Sequence, residues 1–205
     1  MPPEIKSLIL ELYAIEAIQF GSFTLKSGIQ SPIYIDLRLA ISYPPLMKKL
    51  SAALDKFVAP LSFDILCPVP YAALPFATAL SLEGNHPMIM SRKEVKDYGT
   101  KKLIEGKFEK GQTCLIIEDV VTAGNSIMET VASLRKQDLE INDAVVLLDR
   151  EQGGKEKLKE NSIELHALIS IFDLLKVLFH EKKISEETFK QVNVFLGTPL
   201  IIQNT

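Results

Sequence analysis

Apolar residues recur at helical spacing over 5–18, and this predicts an amphipathic helix that ends near Phe20-Gly21, where the glycine can supply a left-handed cap. The alternating stretches 23–26 and 33–37 predict two strands joined by a loop beside Lys26. A double proline behind Ser42 opens the next predicted helix. Beyond it the pattern predicts strands at 63–67, 88–90, 114–117, 144–148 and 164–169, and helices at 73–81, 126–136, 170–181 and 185–196. This alternation predicts an α/β fold, a central parallel sheet flanked by helices.

The most informative stretch is 114–126, with the sequence CLIIEDVVTAGNS. Its four-residue apolar run predicts a buried strand that ends on the carboxylates Glu118 and Asp119, followed by a short loop and a helix. Unpaired N–H groups at a helix start bind phosphate, and carboxylates accept hydrogen bonds from sugar hydroxyls. The stretch therefore predicts a ribose 5-phosphate site. An acidic pair alone is also compatible with a solvated sheet edge or a receiver-type α/β domain.

The segment 91–102 has no lasting apolar period and carries five of the 23 Lys and Arg residues. A long charged connection between two core strands is usually functional or disordered. We interpret it as a mobile lid, extending over 91–110, whose cations meet an anionic substrate. The alternative is a solvated run of charge.

The chain's 205 residues suffice for one α/β domain, and the net charge of −3 argues against broad nucleic-acid or membrane-surface binding. Cys67 and Cys114 lie in apolar runs without metal-ligand spacing, which indicates buried reduced thiols. The N-terminus lacks the features of a signal peptide, and the apolar segment 165–179 is broken by charges and too short to span a bilayer. These features predict a cytoplasmic protein.

Five motifs in order carry a family resemblance. They lie at 25–28, 31–34, 92–99, 117–124 and 148–154. With them the chain resembles the orotate phosphoribosyltransferases of the type I phosphoribosyltransferase family, most closely the transferase half of eukaryotic-type UMP synthases. The resemblance implies the type I phosphoribosyltransferase fold as a single domain over 1–205, with a small cap, or hood, formed by 1–40 and about 165–205.

The resemblance implies transfer of the 5-phosphoribosyl group of phosphoribosyl pyrophosphate (PRPP) to orotate, giving orotidine 5′-monophosphate and pyrophosphate, in UMP biosynthesis. It implies Mg²⁺ held mainly by PRPP and water, and Lys96 and Asp119 as catalytic residues. The residues implied to bind PRPP are Tyr71, Arg92, Lys93, Lys96, Tyr98, Glu118, Asp119, Val120, Val121, Thr122, Ala123, Gly124, Asn125 and Ser126. Those implied to bind orotate are Lys26, Tyr34, Ile35, Thr122 and Arg150.

The resemblance also implies a homodimer in which the lid of one subunit reaches the site of its neighbour. Two alternatives share the PRPP motif: a non-catalytic PRPP-sensing regulator, and a transferase for a purine or another pyrimidine. The regulator would need a basic face or an attached DNA-binding segment, which this acidic chain does not show. The other transferases would not require cations directed at a substrate carboxylate.

The loop after the strand 63–67 departs from the family pattern. Pro68 stands where relatives usually have Gly, and Ala72 where they have Lys or Thr. Proline has no backbone N–H to donate, so the sequence predicts weaker PRPP binding or heavier reliance on Tyr71 and the lid. Tyr98 replaces the His of many bacterial members, as it does in eukaryotic-type members.

Overall fold

A computed structural model of the chain describes residues 1–24, 28–92 and 103–197. The chain divides into two compact units, one combining Met1–Leu46 with Ser170–Thr205 and the other formed by Met47–Ile169. Among the helices in these described ranges, none has the length and apolar character needed to cross a membrane.

The secondary structure contains helices in both units and a central sheet in the second. The helices are α1 (Pro3–Ala14), α2 (Pro44–Val58), α3 (Leu74–Gly84), α4 (Asn125–Arg135), α5 (Gly154–Glu160), α6 (Ile171–His180) and α7 (Glu186–Phe195), with a 3-10 helix at Leu37–Ser42. The strands are β1 (Ile18–Thr24), β2 (Gln30–Ile35), β3 (Ile65–Pro68), β4 (Met90–Ser91), β5 (Ile104–Glu105), β6 (Cys114–Val121), β7 (Asp143–Asp149) and β8 (Glu164–Ser170).

The second unit is built on a four-stranded sheet in the order β3-β6-β7-β8. β6 pairs in parallel with β3 on one side and with β7 on the other, so its backbone groups are satisfied on both edges. Residues of β6 such as Ile116 are fully buried, and Ile127 and Leu134 of α4 belong to the same apolar cluster. The expected parallel sheet is confirmed. Both cysteines are buried free thiols within it, also as predicted.

The first unit contains the antiparallel hairpin β1–β2, whose register shifts between Phe20 and Phe23. α1 lies beside α6, and α7 lies beside β2. Two contacts fasten these elements: the Tyr13 hydroxyl donates to the Lys183 carbonyl at 3.0 Å, and the rings of Phe179 and Phe189 stack at 4.8 Å. The two ends of the chain therefore share one packed unit.

The predicted end of the first helix is wrong. α1 ends at Ala14, Glu16 takes a left-handed φ of 62°, and Ile18 already pairs with Ile35 across the hairpin. Gly21 lies inside β1 and is not a helix cap. The prediction failed because Ile18 would be buried in a helix as well as in the observed strand, and burial of one position does not distinguish a helix from a strand.

Three other elements differ from the pattern-based prediction. β2 stops at Ile35 and a 3-10 helix follows, capped by Asp36, whose carboxylate accepts from the Arg38 N–H. The strand predicted at 114–117 continues to Val121 because its backbone keeps pairing with β7, so the acidic pair lies within the strand. Helix α5 was not predicted: apart from Leu158 and its first glycine, its residues are charged.

Candidate functional site

Three parallel strands of the second unit end at the same edge of the sheet. Pro68, the last residue of β3, pairs with Ile117, and Val121, the last residue of β6, pairs with Asp149 at the end of β7. Ligands of such sheets bind at the carboxyl ends of the strands. The loops that follow these three strands therefore form the candidate site.

The loop between β6 and α4 has the form of a phosphate seat. Gly124 precedes the helix with a left-handed φ of 74°, and as the N-cap residue it makes no side-chain hydrogen bond to the first turn. Thr122 and Ser126 are exposed beside it and offer hydroxyl donors. The first N–H groups of α4 are thus left for an anion, which the helix dipole also attracts.

The acidic pair occupies the end of β6 next to this loop. Glu118 is only 5% exposed, and its Oε1 accepts a hydrogen bond from the Asp119 N–H at 3.1 Å. Asp119 is partly exposed. Because ionised carboxylates only accept hydrogen bonds, an accessible Asp119 is suited to the hydroxyls of a sugar bound over the loop.

Arg150 follows β7 and is tied to β6, since its N–H donates to the Val121 carbonyl at 3.0 Å. Its side chain is buried, and within the described residues its Nε and Nη2 have no hydrogen-bond acceptor. Burial lowers the pKa of Arg150 because the charged guanidinium loses its hydration. A desolvated cation with two unused donors is suited to binding a carboxylate through parallel hydrogen bonds.

Asp149 shapes the turn that carries Arg150. Its Oδ1 accepts from the Glu151 N–H at 2.8 Å, and Glu151 takes a left-handed φ of 52°. Burial raises the pKa of Asp149, because the ionised carboxylate is poorly hydrated there. The backbone on both sides of Arg150 is therefore held by hydrogen bonds.

The loop after β3 contains Tyr71, which is 62% exposed. The structure places Pro68 at the end of β3, where it is buried, and Val69 donates its N–H to the Ile117 carbonyl at 2.9 Å. Neither residue therefore has a backbone N–H to offer a ligand. The expectation of a weakened pyrophosphate cradle stays a prediction.

The lid residues are only partly within the described ranges. Arg92 donates its N–H to the Leu103 carbonyl at 2.9 Å, and its Nη2 forms an ion pair with Glu105 at 2.6 Å. Lys93, Lys96 and Tyr98 lie in 93–102, outside the described residues, as does Lys26 in 25–27. The β4–β5 pairing joins the two ends of the lid segment.

Two of the expected orotate ligands lie in the first unit, on β2. Tyr34 is 37% exposed, with its ring centroid 5.5 Å from that of Phe23, and Ile35 pairs with Ile18. The second unit brings together Glu118, Asp119, the loop 122–126 and Arg150.

Helix α5 packs against the loop 122–126 between β6 and α4, which we call the phosphate loop. The sequence analysis did not predict this contact. A Cβ on Gly124 would lie 2.7 Å from the Leu158 Cδ1, and one on Gly154 would lie 2.8 Å from the Thr122 carbonyl oxygen. Lys157 donates a hydrogen bond to Asn125 of the loop. The glycine pair at 153–154 was the available signal, because glycine is needed where two backbones approach closely.

One group of potential metal ligands lies away from this edge. Asp143, Glu164 and His166 bring ligand atoms within 4.8 Å of one another, and His166 is hydrogen-bonded to Asp143 at 2.7 Å. Asp143 begins β7 whereas Asp149 ends it, so the group is about 20 Å from the candidate site at the usual rise of a strand. It is therefore not positioned to serve that site.

The fold and the loop 122–126 belong to the class of phosphoribosyl transferase domains. The family model of the phosphoribosyl transferase domain matches residues 45–169. The chain is 43% identical to an orotate phosphoribosyltransferase from Caenorhabditis elegans, over 92% of this chain and 84% of that protein. It belongs to the orotate phosphoribosyltransferase branch of the type I phosphoribosyltransferase family.

Longer proteins are also similar to this chain. It is 47% identical to bovine uridine 5′-monophosphate synthase, over 93% of this chain and 40% of that protein. The structure of Leishmania donovani UMP synthase matches with a TM-score of 0.87 and 36% identity, over 96% of this chain and 42% of the other. The chain thus spans about two fifths of the length of these relatives.

Proposed function

We propose that the protein is an orotate phosphoribosyltransferase, which transfers the 5-phosphoribosyl group of PRPP to orotate and releases pyrophosphate in UMP biosynthesis. The observation that carries this proposal is Arg150, a buried guanidinium with two donors that have no acceptor among the described residues. Its backbone N–H is bonded to Val121, the last residue of the strand that leads into the loop 122–126. A cation next to a phosphate seat supports a carboxylate-bearing acceptor. A purine would leave this buried charge without a counter-ion, which is costly.

The loop 122–126 would hold the 5′-phosphate, through α4 N–H groups and the hydroxyls of Thr122 and Ser126. Glu118 and Asp119 would accept from the ribose hydroxyls. The transition state gathers positive charge on the ribose ring, and the Asp119 carboxylate would stabilise that charge at short range. Lys96, with Arg92 and Lys93, would stabilise the negative charge on the departing pyrophosphate.

Further contacts complete the proposed site. Tyr71 and Tyr98 would contact the pyrophosphate, and the backbone of 120–125 would contact the ribose. Orotate would be held by Arg150 and Thr122, and at its far side by Lys26 with the backbone of Tyr34 and Ile35. We further propose that residues 1–40 and about 165–205 form a cap and that residues 91–110 form a lid.

The donor set fits Mg²⁺ bound largely through substrate. At this edge Glu118 and Asp149 are buried and already accept backbone N–H bonds, whereas Asp119 is partly exposed. When bound with PRPP, Mg²⁺ would neutralise the charge of the pyrophosphate, with water completing its coordination. We further propose a homodimer in which each lid contributes to the neighbouring site.

The test is the loss of orotate absorbance when the purified protein is mixed with orotate, PRPP and Mg²⁺. Arg150→Gln should lower kcat/KM for orotate by about 10²-fold or more while leaving the Kd for PRPP within about twofold, because only the carboxylate loses its donors. Arg135→Gln is the matched control: Arg135 bonds the Ile141 and Asn161 carbonyls outside the site. Absence of turnover in the wild type, or equal loss of PRPP and orotate binding in Arg150→Gln, would overturn the proposal.

A further inference from the structure

Lys157 of α5 is placed at the phosphate loop by its own hydrogen bond. Its Nζ donates to the Oδ1 of Asn125, which is the first residue of α4. An ammonium group must face the oxygen of an amide, so the NH₂ group of Asn125 lies on the other branch of that side chain and can donate to an anion. The contact therefore presents a cation and an amide donor beside the seat.

This position is fixed by the packing of α5. Gly154 approaches the Thr122 carbonyl, and Leu158, fully buried, contacts Gly124, so both turns of the short helix lie directly on the loop. Lys157 stands next to Leu158 in sequence and is only partly exposed, whereas Lys155 and Lys159 of the same helix are exposed. The packing of Gly154 and of the Leu158 side chain against the loop thus places Lys157 beside Asn125.

The electrostatics of this arrangement favour a bound anion. The N-terminus of α4 carries the positive end of its helix dipole, and a cation is destabilising there. Lys157 lies in the last turn of α5, where the dipole of its own helix favours a cation. An anion seated on the α4 N–H groups would be attracted by the dipole and by Lys157 together.

We propose that Lys157 is a further binding residue for the 5′-phosphate of PRPP, acting beside Asn125 at the start of α4. This inference rests on the proposed function, since it names an additional ligand for the same seat. The inference predicts that the charge of Lys157 stabilises the bound phosphate on ribose C5 and has little effect on the pyrophosphate on C1.

Ribose 5-phosphate isolates this interaction because it occupies the seat without the pyrophosphate. In calorimetric titrations of the full chain, Lys157→Met should weaken the binding of ribose 5-phosphate and of PRPP about tenfold, which corresponds to about 1.4 kcal/mol. Pyrophosphate and orotate should bind within about twofold of wild type. Lys159→Met, which removes an exposed lysine of the same helix turn, is the matched control and should leave all four affinities unchanged.

Salt dependence separates a charge contribution from a structural clamp. If the ammonium acts on the phosphate, the affinity for ribose 5-phosphate should fall less steeply with ionic strength in Lys157→Met than in wild type, and Lys157→Arg should restore most of it. The inference would be overturned if the affinity of Lys157→Met for ribose 5-phosphate depended on ionic strength as in wild type. It would also be overturned if Lys157→Met lost no more affinity than Lys159→Met. Either result would leave the proposed transferase function in place. A wild-type protein that binds neither PRPP nor orotate would overturn the function itself.

Discussion

Replacing Gly154 by Ala should displace the phosphate loop. The added Cβ would lie 2.8 Å from the Thr122 carbonyl oxygen and 2.8 Å from the Val121 Cγ2. Atoms in van der Waals contact are about 3.5 Å apart, so the loop backbone has to move by roughly 0.7 Å. The Val121 side chain can rotate, but the Thr122 carbonyl can yield only if the loop moves.

Two effects of the Gly154→Ala substitution oppose each other. Gly154 starts α5 and its φ is not left-handed, so alanine fits the backbone and favours the helix by up to about 1 kcal/mol. Overpacking a buried site costs about 1–3 kcal/mol. We therefore expect a net loss of about 1–2 kcal/mol, which lowers the Tm by roughly 2–8 °C for a chain of this size.

The functional effect should exceed the effect on stability. Small displacements of a binding group can cost up to about 10²-fold, so the Kd for PRPP, measured by titration calorimetry, should rise at least about tenfold in Gly154→Ala. Gly21→Ala is the control, because a Cβ there would contact the Phe23 ring at an ordinary 3.5 Å. A Gly154→Ala variant that binds PRPP and melts like wild type would refute the tight contact between α5 and the loop.

Three further outcomes are expected. Hydrogen bonding from Arg38 lowers the pKa of Asp36. Arg38→Met should therefore lower the free energy of unfolding in urea by about 0.5–1 kcal/mol above pH 4. This difference from wild type should shrink as the pH falls through the lowered pKa of Asp36, because the protonated carboxyl no longer attracts the guanidinium. Asp149→Ala should lower the free energy of unfolding in urea at pH 7 by about 1–2 kcal/mol, because the Glu151 N–H loses its acceptor. Asp149→Asn keeps an acceptor and removes a buried charge, so its free energy of unfolding should fall by less in the same assay. The hydrogen bond of the Cys114 thiol with Cys67 raises the pKa of Cys114, and burial raises it further. Iodoacetamide should therefore modify Cys114, as followed by mass spectrometry, only after urea unfolding. Rapid labelling of the native protein would contradict the burial of this thiol.

Local patterns predicted the elements that bury a continuous apolar face. The pattern predicted β6 and α4 correctly, because a run of four apolar residues followed by apolar residues at helical spacing is typical of a buried strand and an amphipathic helix. The end of α1 was missed because Ile18 is equally buried in the strand that the hairpin imposes. Helix α5 was missed because its seven residues gain their stability from contact with the loop, through Gly154 and Leu158.

The amino-acid sequence by itself determined the α/β class and the residues of the phosphate loop, because apolar period and the order of small and acidic residues are local properties of the chain. Only the tertiary structure decided that the acidic pair lies inside β6, that Arg150 is buried with no acceptor in the part of the chain that the structure describes, and that Lys157 meets Asn125. These facts depend on which strands pair and which backbones touch. Such contacts join residues far apart in sequence, and no local pattern specifies them.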